Sequence, residues 1–217
     1  MKKCSLFVCF VALCSVTLLG QAGRPLRVVH NVDKSAVNVA PQETPQALSV
    51  IYNNLSTKND AYSTTEGWVL AGPTSVGGQE FIGIPFTPKS NAHVSEVRSA
   101  LQYGGFGANQ VNLSIYGDSS GAPGTLLGGP VTVTNLPAFG TCCTLAIADF
   151  APIAVTAGTK YWIVANTPLS GTGSDFYGGW EWVAKASVLW ADDFDSNGWS
   201  LTPSDGLPAG EVLGAIP

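Results

Sequence analysis

Charge is scarce in this chain. Asp, Glu, Lys and Arg together make up 12% of 217 residues, where a soluble domain carries about 25%. Histidine occurs twice, as His30 and His93, and methionine once. Of the five cysteines, Cys4, Cys9 and Cys14 fall in the first fifteen residues, leaving only the adjacent pair Cys142-Cys143. These shortages exclude a good deal. A serine triad would have to use His93, and no GxSxG elbow presents a nucleophile to it. Zinc has no paired histidines, and two adjacent cysteines do not fit a tetrahedral site. Nucleic acid and anionic membranes select basic faces, and here 10 Lys and Arg stand against 15 Asp and Glu. No stretch beyond the first twenty residues approaches the roughly 20 apolar residues of a membrane span.

What is present begins with a leader. Lys2 and Lys3 precede the apolar run Leu6 to Leu19, and Gly20-Gln21-Ala22 follows with small residues. That order is the pattern of a secretory signal peptide, residues 1–22, cut after Ala22. Cleavage lowers the basic count to 8 against 15 acids, a net charge of −7. The expected destination is secreted and extracellular, with the periplasm or outer surface as variants of the same route. Residues 23–47, with Pro25, Pro41 and Pro45 and no sustained period, read as a flexible linker.

From Leu48 the pattern becomes short β-rich runs separated by Gly and Pro clusters. SVIYNN, EFIGIPFT, VSEVRSALQY, VNLSIYGD, LLGGPVTVTN, CTLAIADF, KYWIVANT, WEWVAK, SVLWADD and EVLGAIP all read as strands. Val111-Asn112-Leu113-Ser114-Ile115-Tyr116 alternates strictly, which gives one buried and one wet face. No window carries a helical period. The expectation is an all-β fold: a single-domain, jelly-roll-like antiparallel sandwich over 48–217. Tyr116 to Thr125 reads as a hairpin whose Asp118 bonds downstream backbone. Val155-Thr156-Ala157-Gly158-Thr159 reads as a glycine turn leading into a central buried strand.

Two candidate sites come from residue type. Trp180-Glu181-Trp182 places two indoles on one strand face around a carboxylate; exposed, that is a sugar-stacking platform, and buried, it is core. Gly178-Gly179 beside it leaves room for a ligand. Asp193, Asp195 and Asn197, followed by Gly198, match the opening of a calcium loop. Ser204 stands where that loop's bidentate glutamate belongs, so a plain Asn-Gly turn competes. No other cofactor is called for. A glycosidase would need two carboxylates across a cleft, and no catalytic residue is assigned.

IYNNL, IPFTP, GDSSGAPGTLL, LPAFGTCCTLAI, VTAGTKYWIVANT and SNGWS together resemble the bacterial secreted choice-of-anchor R domain, over about 48–217. The resemblance implies a jelly-roll-like extracellular module without enzymatic activity, usually tethered by a C-terminal anchor. After Ile216-Pro217 no apolar tail, basic cluster or LPxTG is written, so release is the expectation here. The function read from the sequence is a non-enzymatic exported module for cell-surface, matrix or glycan contact, with a polysaccharide or cell-surface partner. The alternative is a secreted glycoside hydrolase with a shallow acidic site.

Phe139-Gly140-Thr141-Cys142-Cys143 carries the last expectation. Once the leader is removed, Cys142 and Cys143 have no other cysteine in the chain, and the compartment is oxidising. Adjacent Cα atoms lie about 3.8 Å apart, below the usual disulfide window of roughly 4.4–6.8 Å. A ring across one peptide therefore needs a distorted turn, which Pro137-Ala138-Phe139-Gly140 supplies. A reduced pair packed as two small hydrophobes and a bond to a second chain are the competing readings; the ring is favoured. Intact mass of the exported, unreduced protein checks leader and ring together. The expected species is a monomer starting at Gly23 and lighter than its reduced form by two hydrogen atoms.

Overall fold

Val111, Leu113 and Ile115 are wholly buried, as their alternation dictates, in a computed structural model that describes residues 47–55, 62–142 and 144–217. Side chains at 184–188 and 204–205 are not among those described. The leader, the linker up to residue 46, and Cys143 lie outside the described residues. These fall in one compact unit, Thr44–Pro217, and form strands without a helix. None of its elements is therefore a helix long and apolar enough to cross a membrane.

The strands in chain order begin with β1 (Ser49–Asn53), β2 (Gly67–Ala71), β3 (Glu80–Phe86) and β4 (Ala92–Ser99). Then come β5 (Leu101–Phe106), β6 (Gln110–Ser119), β7 (Ala122–Thr134) and β8 (Ala146–Val155). β9 (Tyr161–Asn166), β10 (Tyr177–Phe194), β11 (Ser200–Pro208) and β12 (Gly210–Ala215) complete the set. β1-β12-β4-β8 make a four-stranded sheet. β11-β10-β2-β3-β9-β6-β7 make the larger one, with β5 added on β10. The named strand pairs are all antiparallel. Val94, Val97 and Val212 of the small sheet join Ile84, Ile115, Ile163 and Trp180 of the large one in a single core. The molecule is an all-β antiparallel sandwich.

The expected hairpin joins β6 to β7, with Ser119 opposite Ala122. Ser120 and Gly121 take positive φ at its tip, and the Gly121 N–H donates to Asp118 Oδ2 at 3.0 Å. β9 is central, between β3 and β6, and Tyr161 to Ala165 are buried. Elsewhere the strand boundaries depart from the periodicity. VSEVRSALQY is two strands in different sheets, because the chain crosses the sandwich at Ala100. WEWVAK and SVLWADD are one strand, β10. GWVLA is β2, and SLTPSDGLP is β11. That last run carries Pro203 and Pro208, and β11 is the sheet edge, where a strand tolerates proline.

β10 hydrogen-bonds to four other strands. Its first part lies between β2 and β5, and its later part between β3 and β11. A straight strand rises about 3.3 Å per residue, so Trp182 and Trp190 would stand ~26 Å apart. Yet the ring centroids of both lie 4.6 Å from that of Trp68. β10 is therefore strongly coiled, and its pairing with β11 slips between Ala184 and Val188, a bulge that sharpens such a bend.

Trp180, on the concave side, has no exposed surface and donates its indole N–H to the Ala209 carbonyl at 2.8 Å. Trp180→Ala should destabilise the domain by about 3–5 kcal/mol. Trp180→Phe keeps most of the volume, and the Ala209 carbonyl keeps its bond from the Ala100 N–H at 3.0 Å, so it should cost only about 1–2 kcal/mol. Urea melts of the two variants measure the difference.

Candidate functional site

Alternation along β10 puts Trp180 and Trp182 on one face and Tyr177, Gly179 and Glu181 on the other. The two indoles do share a face, and it is the inward one. Trp180 is core, while half-buried Trp182 tilts against Trp68. The strand thus presents no open platform over both rings. Its opposite face carries the more interesting arrangement.

There, Gly179 lies beside Val69 of β2 and Gln102 of β5, and Glu181 beside Gly67. Over this patch runs the segment Pro137–Thr141. The Tyr103 N–H donates to the Pro137 carbonyl at 2.8 Å, and the Phe139 N–H to the Tyr103 carbonyl at 2.9 Å. Just upstream, Asn109 exchanges two hydrogen bonds with the Leu136 backbone. The segment is held as a strap along β5. Phe139 rests on Gly179, where a Cβ would sit 2.9 Å from its ring; any larger residue there would lift the strap.

Gly67, Val69, Gly104, Phe139, Tyr177, Gly178 and Gly179 line a cleft of about 210 Å³ beside the strap. Glycines leave its floor low, and Phe139 and Tyr177 give it aromatic walls. Exposed Phe106 meets Tyr177 edge-on, with ring centroids 6.2 Å apart.

Glu181 is wholly buried beside this cleft. Its Oε2 accepts from Gln102 Nε2 at 2.9 Å. The same nitrogen donates to the Thr141 carbonyl at 2.6 Å, and Gln102 Oε1 accepts the Gly140 N–H at 2.6 Å. One carboxamide therefore ties the strap to the carboxylate. Glu181 Oε1 and the buried Tyr62 hydroxyl have no hydrogen-bond partner. Burial pushes the Glu181 carboxyl up to about 7, and the nearby Gly140 N–H opposes this. Burial, and then the charge of Glu181, push the Tyr62 phenol up to about 12.

The other candidates lie apart from this site. Asp193 Oδ1 accepts the Gly198 N–H at 3.0 Å, and Asn197 Nδ2 donates to the Phe194 carbonyl at 3.0 Å. Asp195 and Ser196 carry the positive φ of the β10–β11 turn. These groups close a hairpin, and among the described residues no three His, Cys, Asp or Glu side chains are grouped to hold a metal. His93 faces solvent from the middle of the small sheet. Cys142 is exposed at the end of the strap; the Cys142-Cys143 ring rests on a residue outside those described.

Residue type alone pointed to Glu181 and to Gly178-Gly179. It missed Gln102, Tyr62, Phe139 and Gly67, which come from four separate segments. The one available signal was FGTCCTL itself, whose first three residues are the strap's end. Compared with known proteins, the chain matches no family model, no curated protein and no solved structure. Its function must therefore be argued from this geometry.

The raised Glu181 carboxyl carries a pH signature. Folding strengthens its hold on a proton, so its contribution is fully present below its ordinary 4.5 and is lost as pH rises to about 7. Glu181→Gln should remove that slope and stabilise the domain at pH 8 by more than about 1 kcal/mol. That corresponds to a rise of ~2–4 °C in melting temperature for a domain of this size. Thermal melts at pH 5 and pH 8 for both proteins check the sign.

Proposed function

We propose that this chain is a non-enzymatic exported module that contacts a glycan at a cell surface or matrix through the cleft beside the strap. The observation that carries the reading is the cleft's make-up: a glycine floor between Phe139 and Tyr177, with exposed Phe106 beside them. Flat aromatic faces over open backbone suit the apolar C–H face of a sugar ring. A concave site with a few convergent polar groups is the usual form of a small-ligand site. The scarcity of charge fits a neutral partner, and the leader-like first 22 residues and the resemblance to choice-of-anchor R domains support a partner outside the cell.

The hydrolase reading draws on Glu181, since a buried carboxyl raised toward neutrality is how a glycosidase holds its general acid. Among the described residues no second carboxylate is seen to act on it: burial raises the Glu181 carboxyl and the Gly140 N–H lowers it. Contact without cleavage is the better-supported reading.

A glycan array and polysaccharide pull-down with the mature domain test this. Binding is expected, and Tyr177→Ala and Phe139→Ala should each weaken it about tenfold or more, given ~1–3 kcal/mol per stacked ring by analogy with base stacking, with circular dichroism unchanged. Binding untouched by both substitutions would remove the cleft from the function. Shortened oligosaccharides in the bound fraction would move the reading to the hydrolase.

A further inference from the structure

Two of the strap's attachments, at Gly140 and Thr141, run through the same carboxamide that holds Glu181. Gln102 spends both its N–H groups and its carbonyl on Thr141, Glu181 and Gly140. Whatever displaces Glu181 therefore loosens Gly140 and Thr141 in the same movement. Beneath them are two buried polar atoms without partners, Glu181 Oε1 and the Tyr62 hydroxyl. An unpartnered buried oxygen is costly, and far more so when it carries charge. Glu181 follows Gly179 by two residues on the same face of β10, so this buried polar recess lies next to the cleft floor formed by Gly178 and Gly179.

We propose that Pro137–Thr141 is a latch over a closed polar subsite formed by Glu181 and Tyr62, and that the ionisation of Glu181 releases it. With the carboxyl protonated, the recess is neutral and stays shut. With the carboxyl ionised, half of the charge sits on an oxygen that nothing solvates, and lifting the strap admits water to it. Among the described residues, the groups facing Glu181 are Gln102 from β5, the Gly140 N–H from the strap, and the Tyr62 phenol from the segment before β2. Of these, only Glu181 titrates near neutrality, the phenol being pushed up to about 12. The opened recess adds two oxygens to the glycine floor, which suits the hydroxyls of a ring seated in the cleft. That last point rests on the glycan reading; the latch does not.

Backbone amide exchange in the full exported domain, corrected for the intrinsic pH dependence of exchange, tests the latch with no ligand present. Between pH 5 and pH 8 the opening equilibrium of a site linked to this carboxyl should rise about tenfold or more and level off above pH 7. Amides 139–141 should lose protection by that factor while Trp162 to Val164 of β9 keep theirs. Glu181→Gln should hold the strap amides protected at both pH values, and Gln102→Leu, which removes the partner of the Gly140 N–H, should leave the Gly140 amide unprotected at both. Equal strap protection at pH 5 and pH 8 would overturn the proposal. So would the same loss in Glu181→Gln, or a matching loss in β9, which would mean global loosening. If the variants do not fold, the Gly140 amide resonance of the natural chain decides: a titration centred near pH 7 supports the latch, and a flat response rejects it. A latch that fails this test leaves glycan binding standing, and an empty array leaves the latch standing.

Discussion

Trp68 packs against both Trp182 and Trp190, tilted to the first and stacked on the second, and the coil this requires of β10 organises the large sheet. A straight β10 could pair with one neighbour on each side. The coiled strand pairs with β2 and β5 at one end and with β3 and β11 at the other, so one continuous backbone ties together parts of the sheet that would otherwise be far apart. Three indoles suit this duty because each offers a large flat face, and burying it yields more than its area alone when rings pack offset. The Trp68 indole N–H donates to the Gly206 carbonyl on β11 at 3.0 Å. Gly206 is bare where a Cβ would meet the Trp182 ring at 2.7 Å. The coil and the edge strand are therefore held by one cluster.

That coil also decides what the two faces of β10 become. Its concave face turns Trp180 into the core. Its convex face would be solvated, and the strap covers it. Glu181 is thus buried by a loop rather than by a second sheet, and loops open at much lower free-energy cost than sheets. A carboxylate under such a cover is poised rather than structural. The large sheet keeps its ladder whether the strap is down or up, because the strap's bonds to Tyr103 lie along one edge of β5 and its remaining bonds pass through Gln102.

Under the proposed glycan reading, the cleft and the recess serve recognition rather than chemistry. Catalysis on a glycosidic bond asks for an acid and a second carboxylate at set separation; among the described residues, Glu181 is faced by an uncharged glutamine and a phenol. Aromatic walls, a glycine floor and low charge ask only for a ring with an apolar face and hydroxyls at its rim. Such a site can be selective without altering what it holds.

The amino-acid sequence by itself determined the class of this protein. Strict alternation in Val111–Tyr116 and the unbroken apolar run Tyr161–Ala165 depend only on the two-residue period of a strand, and proline, glycine and Asp118 mark turns through local backbone chemistry. Those features survive in any β-sandwich, so they could be read without knowing which strand neighbours which. The tertiary structure alone decided that Trp180 faces inward, that ten residues of VSEVRSALQY divide between two sheets, and that a proline-bearing run completes the sheet edge. It also brought Tyr62, Gln102, Gly140 and Glu181 together. Each contributes one group from a different segment, and no spacing along a chain encodes a contact between residues as far apart as 62 and 181. Glu181 was visible as a residue type; its burial was not, because the cover is a strap whose path is set by hydrogen bonds to Tyr103 and Asn109, formed only once β5 and β6 are in place.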